Sequence, residues 1–245
     1  MRGREVESGN DPATACLGIL MLETRFPRIT GDIGNPETWP FPVRFCTVAG
    51  ASPQRVVNEH AAGLLENFKD AATQLVRDGA DGISTTCGFL SLFQNELAAA
   101  CDAPVAASSL MQAPMIQALL PPGRKLGILT ISAETLSPAH LAAAGVPEGT
   151  PVVGTDNGKE FSRAILNDEA TLDVDLAEQD VVAAGGVLLD NNPDIGAILL
   201  ECTNMAPYSR ALQRAYNRPV FDIYSFLTWF HAGLRPRKFR ADAEC

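Results

Sequence analysis

No stretch of this chain holds the roughly 18 consecutive apolar residues that a membrane-crossing helix needs. The first 13 residues are polar and carry no apolar core, so they do not read as a secretory leader. Positive charge is short: 19 Lys and Arg stand against 29 Asp and Glu, a net charge of −10. A phosphate-binding surface is built from clustered cations, so nucleic acid is not an expected partner, and the one basic run, residues 235–240, reads as a solvated tail. Histidine is also scarce. His60, His140 and His231 keep no ligand spacing with any cysteine, and no Cys-x-x-Cys pair exists, so no metal site is expected. The six cysteines, at 16, 46, 87, 101, 202 and 245, are too scattered for a disulfide scaffold; free thiols in a reducing, cytoplasmic setting are expected.

What the chain does have is 46% hydrophobic and 20% charged residues, the range of a globular protein with a substantial core. It also has an internal duplication. The stretch Asp81-Gly82-Ile83-Ser84-Thr85-Thr86-Cys87-Gly88 returns 115 positions later as Gly196-Ala197-Ile198-Leu199-Leu200-Glu201-Cys202-Thr203. The match runs on without a gap: Leu90 falls on Met205, Phe93 on Tyr208, Leu97 on Leu212, and Pro104-Val105 on Pro219-Val220. It also reaches back to the first strand of each half, Leu17-Gly18-Ile19-Leu20 echoing Leu126-Gly127-Ile128-Leu129.

Strand and helix patterns alternate, which implies an α/β fold with mainly parallel sheets. Apolar runs predict strands at residues 16–23, 43–48, around 83, 105–107, 125–130, 151–153 and before Cys202. Helical spacing predicts one helix over 53–78 ended by Gly79, others near 90–101, 133–144 and 168–190, and a last one over 221–234. The expected organisation is a disordered tail at residues 1–14, lobe 1 at 15–117, lobe 2 at 118–221, and a C-terminal helical segment at 222–245 packing back on lobe 1. The loop at 24–42 is long for a compact domain and contains Arg25, Arg28 and Asp32, which makes it a candidate lid.

Ligands of open parallel sheets bind beyond the carboxyl ends of the strands. Cys87 and Cys202 both sit at such ends. A lone strand-end cysteine is usually a small core hydrophobe, but here both copies keep it beside polar groups. Thiols at helix starts are expected to be partly exposed and low in pKa. Two facing thiols suit one kind of chemistry, in which one removes a proton from carbon and the other returns one, while backbone N–H groups steady the carbanion. Thr85, Thr86, Thr203 and Asn204 are candidates to hold a substrate carboxylate or amide, with helix capping as the plain alternative. Arg25 and Arg28 offer a carboxylate clamp or are simply surface arginines. Glu201 tunes Cys202, acts as a second base, or is a satisfied buried acid.

On the paired segments Thr86-Cys87-Gly88 and Glu201-Cys202-Thr203-Asn204, the chain resembles the aspartate/glutamate/hydantoin racemase superfamily over residues 15–235. Gly31-Asp32-Ile33-Gly34, Cys87-Gly88-Phe89 with Phe93-Gln94, and Pro207-Tyr208-Ser209 look like the branch containing the algal dimethylsulfoniopropionate lyases. The resemblance implies two pseudo-symmetric Rossmann-like lobes with the active site in the cleft between them. It also implies catalysis by Cys87 and Cys202 without pyridoxal phosphate or metal, and Thr86, Gly88, Thr203 and Asn204 around the substrate. The expected activity is a cofactor-independent racemase or epimerase acting on an amino acid or a derivative such as a hydantoin. The alternatives are lyase-type elimination and, from a different class, a non-catalytic small-molecule-binding or thiol-redox protein. The expected partner is a small carboxylate-bearing substrate, with no membrane; a homo-oligomer is left open.

Overall fold

The first apolar run forms β1, Leu17–Leu22, in the computed structural model, which describes residues 14–237. The 1–14 tail expectation, apart from residue 14, lies outside those residues, as do Cys245 and the last eight positions of the 222–245 segment. Among the described residues no helix is long and apolar enough to cross a membrane.

In the first half, β1 is followed by β2 (Val43–Val48), α1 (Leu65–Arg77), β3 (Gly82–Thr85), α2 (Gln94–Ala100), β4 (Val105–Ala106) and α3 (Ala113–Leu119). The second half supplies β5 (Lys125–Thr130), α4 (Pro138–Ala143), β6 (Val152–Gly154), α5 (Phe161–Leu166), α6 (Val174–Asn191), β7 (Ile195–Leu200), α7 (Ser209–Tyr216) and β8 (Val220–Phe221), and α8 (Ile223–Leu234) follows. The four strands of each half make one sheet, ordered β2-β1-β3-β4 and β6-β5-β7-β8, with every pairing parallel. The two lobes thus repeat one arrangement. A 3-10 turn follows each cysteine, Gly88–Phe93 in one copy and Thr203–Tyr208 in the other, at the same 115-residue offset.

Buried strands flanked by helices explain the continuous apolar runs. Each central strand carries a glycine where a helix presses in. A β-carbon on Gly18 would meet Ile83 Cδ1 at 2.8 Å and Leu75 Cβ of α1 at 3.2 Å, and one on Gly127 would meet Ile195 Cδ1 at 2.6 Å and Leu188 Cδ2 of α6 at 2.9 Å. One buried apolar cluster runs through both lobes. A second joins α8, through Ile223, Phe226 and Leu227, to Leu17 and Ile19 of β1 and to Trp39 of the long loop.

Three helix expectations need correction. The 53–78 segment is broken: a π-type turn at Gln54–Asn58 leads to His60 and Ala61 at φ 52° and 54° and Gly63 at 73°, and α1 begins only at Leu65. The apolar spacing is real, since Val56, Ala61, Leu64 and Phe68 are all buried, but the left-handed residues turn the chain so that both pieces face the core. The 133–144 helix shortens to α4 because Pro138 starts it behind the capping Ser137. The 168–190 helix starts late, at Val174 capped by Asp173, because Asp168 is left-handed at φ 52°; α5, just before it, is an additional helix with no counterpart among the expected ones.

Phe68 is wholly buried on α1 and meets Phe93 edge-on at 6.0 Å. Phe68→Ala is expected to lower the unfolding free energy by about 3–5 kcal/mol, read as a lower urea midpoint at unchanged slope.

Candidate active site

The ends of β3 and β7 meet in the seam between the lobes. Thr203 Oγ1 donates to the carbonyl of Thr86 at 2.7 Å, and Ser109 Oγ donates to the carbonyls of Leu200 and Glu201 at 2.7 and 3.1 Å. Backbone groups that end a strand are thus satisfied by the opposite lobe, which is the requirement for burying them. Between them lies a cavity of about 20 Å³ lined by Cys87, Gly88, Cys202, Asn204, Glu201 and Thr86, and roofed by apolar groups including Phe26, Phe89 and Ile165. That volume holds about one water.

Both thiols therefore face one narrow, mainly apolar space, at 8% and 7% exposure. This corrects the expectation of exposed, acidified cysteines. Burial, followed by the charge of Glu201, pushes Cys87 up to about 12, against the backbone N–H groups of Phe89 and Leu90 and the more distant Arg28. Cys202 is also raised well above an ordinary thiol by the same two causes. The elements after the cysteines are short 3-10 turns, so their end charge is too weak to offset desolvation. Unliganded, both groups are neutral thiols at pH 7.

Glu201 is the other titratable group inside. It is wholly buried; Oε2 accepts from Thr130 at 2.8 Å, and Oε1 has no partner. Burial lifts its pKa to about 7, against the Thr130 hydrogen bond. The carboxyl packs directly on Gly88, where any β-carbon would collide with Oε1 and lie 2.5 Å from the Glu201 carbonyl. Glycine is required at 88 by this approach.

Among the described residues, one cation reaches the cavity. Arg28, its side chain 10% exposed, pairs with Asp32 at 2.9 Å, donates to Thr24 Oγ1 at 3.2 Å and lies 4.8 Å above the Phe26 ring. Asp32 in turn accepts from Asn204 Nδ2 at 2.5 Å, and Cys202 Sγ donates to Asn204 Oδ1 at 3.6 Å. A chain of contacts thus links Arg28 to the second thiol.

The candidate residues divide. Cys87, Cys202, Thr86, Gly88, Glu201 and Asn204 line the cavity. Thr85 and Thr203 do not: Thr85 Oγ1 donates to the carbonyls of Cys87 and Ala107, and Thr203 is engaged across the seam. Thr86 Oγ1 already accepts from Leu22 N. Arg25 lies outside, 74% exposed, bound to Asp168 of the other lobe through its backbone and guanidinium at 2.5 and 3.2 Å. Its neighbour Arg28 occupies the position inside. Sequence reasoning names Asp32 only as part of the candidate lid and gives Phe26 no role; opposite charges four apart at Arg28 and Asp32 in a long loop are the available signal.

No protein-family model matches the chain. Among curated proteins, it is 29% identical over 239 residues to the dimethylsulfoniopropionate lyase of Durusdinium sp. clade D, covering 94% of this chain and 79% of that protein. It is 30% identical over 231 residues to dimethylsulfoniopropionate lyase 7 of Emiliania huxleyi (strain CCMP1516), covering 89% of this chain and 67% of that one. The chain belongs to the branch of the algal dimethylsulfoniopropionate lyases. It spans 48% to 79% of the length of the curated members of that branch it matches. Solved structures share the fold: allantoin racemase from Klebsiella pneumoniae at TM-score 0.66 and 17% identity, covering 90% of this chain and 87% of that one, and arylmalonate decarboxylase at TM-score 0.61 and 15% identity, covering 93% and 96%.

Because Glu201 titrates near 7 when folded and near 4.5 as an ordinary carboxyl, its neutral form favours the fold. That contribution is complete below about pH 4.5 and is lost as pH rises through 7. The stability difference between the wild type and Glu201→Gln, measured by urea unfolding from about pH 4 to 8, is expected to shift against the wild type across that window.

Proposed function

We propose that this enzyme removes a proton from the carbon beside the carboxylate of a small zwitterion and expels a leaving group from the next carbon, with dimethylsulfoniopropionate as the leading substrate. The observation that carries the reading is the charge set of the cavity: two thiols and Glu201 with a single guanidinium, Arg28, itself balanced by Asp32. A carboxylate suits Arg28, and an onium group suits the acid side. The onium does a second thing. Both thiols are neutral in the empty site, and a positive charge brought into a desolvated space lowers a thiol's pKa, so a cationic substrate creates the thiolate that attacks it. In the elimination the thiolate takes the α-proton, the carbon–sulfur bond breaks, and acrylate and dimethyl sulfide leave. The names of the curated relatives support the same substrate.

A second reading, racemisation of an amino acid, is favoured by the repeat itself, which gives the cavity two thiols from equivalent positions. An amino acid is also a zwitterion. An uncharged hydantoin would use neither Arg28 nor the acids.

Proton NMR in deuterated water, with dimethylsulfoniopropionate and a panel of L- and D-amino acids, separates these readings. Elimination is expected to yield acrylate and to fall unequally in Cys87→Ala and Cys202→Ala, the larger loss being about 100-fold or more. Deuterium uptake with inversion, lost equally in both variants, would replace lyase by racemase. Tight binding of a panel member without exchange would replace both by a binding protein.

A further inference from the structure

The carbon-acid reading leaves one step without an agent: something must accept the proton of the cysteine thiol before sulfur can act as a base. Solvent is a poor candidate, because the cavity has room for about one water and its lining is mainly apolar, Phe26 and Ile165 included. The titratable and charged groups that face this space are Cys87, Cys202 and Glu201 from the strand ends and Arg28 with Asp32 from the long loop.

Asp32 is committed, holding Arg28 and Asn204. Glu201 is not. Its Oε1 is buried without a partner and rests on Gly88, the residue after Cys87, while Glu201 itself precedes Cys202. Among the groups facing the cavity, it is the one acid in contact with the Cys87 segment. The two thiols differ in a matching way. Cys202 Sγ keeps a proton by donating to Asn204 Oδ1, whose orientation is set by the bond from Nδ2 to Asp32. Backbone N–H groups favour the anion at both sulfurs, Asn204 at Cys202 and Phe89 with Leu90 at Cys87, so the side-chain oxygen of Asn204 is what sets Cys202 apart.

We propose that Glu201 is the resident proton acceptor for Cys87: with substrate in the cavity, the carboxylate takes the Sγ proton onto Oε1 and leaves Cys87 as the thiolate base, while Cys202 remains the protonated partner. This rests on the carbon-acid reading above. The step is balanced within the pair, since the S–H bond that breaks is replaced by the O–H bond that forms. The substrate proton then arrives on Cys87, and Glu201 releases the first proton when products leave. A site that carries its own acceptor does not need an exposed or pre-ionised thiol, which accounts for a narrow, mainly apolar cavity around chemistry that needs an anion.

Two measurements on the full chain test this, using the wild type, Glu201→Gln and Glu201→Asp. The first is the pH dependence of iodoacetamide alkylation at Cys87 and Cys202, mapped by peptide mass spectrometry. A thiol and carboxyl sharing one proton give a Cys87 rate that climbs to about pH 7 and then flattens. Glu201→Gln is expected to remove the break, so that the rate keeps rising and exceeds the wild type at about pH 9 on the order of 100-fold; Glu201→Asp keeps a break. A break that persists in Glu201→Gln, or none in the wild type, overturns the proposal. The second is turnover of the substrate found in the exchange experiment. Glu201→Gln is expected to lower kcat by about 100-fold or more although its thiol alkylates faster, with partial recovery in Glu201→Asp. A carboxyl acting only through its charge or its packing would leave kcat unchanged or raise it, which also overturns the proposal. If the wild type turns over nothing, the proposed function fails, and the alkylation profile still decides the coupling.

Discussion

Thr203 donates a hydrogen bond from its hydroxyl to the carbonyl of Thr86, and that bond across the seam is what the rest of the site depends on. Parallel strands end with carbonyls that have no further partner in the sheet. When two such sheets meet end to end, the unpaired groups must find each other or find water. Here Thr203 and Ser109 satisfy both strand ends. Water is therefore not needed, and a cavity with two thiols and a carboxyl is left nearly dry between the lobes.

Dryness then fixes the electrostatics. Near the surface, a cysteine beside a helix start is acidified by the local dipole. In this seam the dipole belongs to a six-residue 3-10 turn, and it competes with full desolvation and a neighbouring carboxyl. Desolvation wins for Cys87 and Cys202, and it also lifts Glu201 to about 7. All three groups rest in their neutral forms below that pH, so the ligand-free site carries little net charge inside.

The long loop borders the cavity through Phe26 and Arg28. Its buried anchors are Ile33, Trp39 and the Arg28–Asp32 pair, and its outer edge is tied to the second lobe where Asp168, left-handed, accepts from the backbone N–H groups of Arg25 and Phe26. Phe26 and Arg28 from the loop and Ile165 and Leu166, just before Asp168, from the second lobe all line the cavity. The cavity they border measures about 20 Å³.

The duplication, the parallel strands and the two strand-end cysteines are all legible in the chain, because a buried strand demands an unbroken apolar run and a repeated fold repeats its spacing. Gly88 and Glu201 can be picked out but not explained: their meaning is a collision avoided between residues 113 positions apart. Helix lengths are misread at His60, Ala61 and Asp168, since a left-handed residue leaves the apolar period intact while it turns the backbone. Arg25 and Arg28 look alike in sequence, and only the packing of the loop sends one outward to Asp168 and the other inward over Phe26. The sequence by itself determined which chemical groups stand at the two strand ends. Their protonation was decided by the tertiary structure alone, because a pKa follows from desolvation and from neighbouring charges, and both exist only once the two lobes have closed on each other.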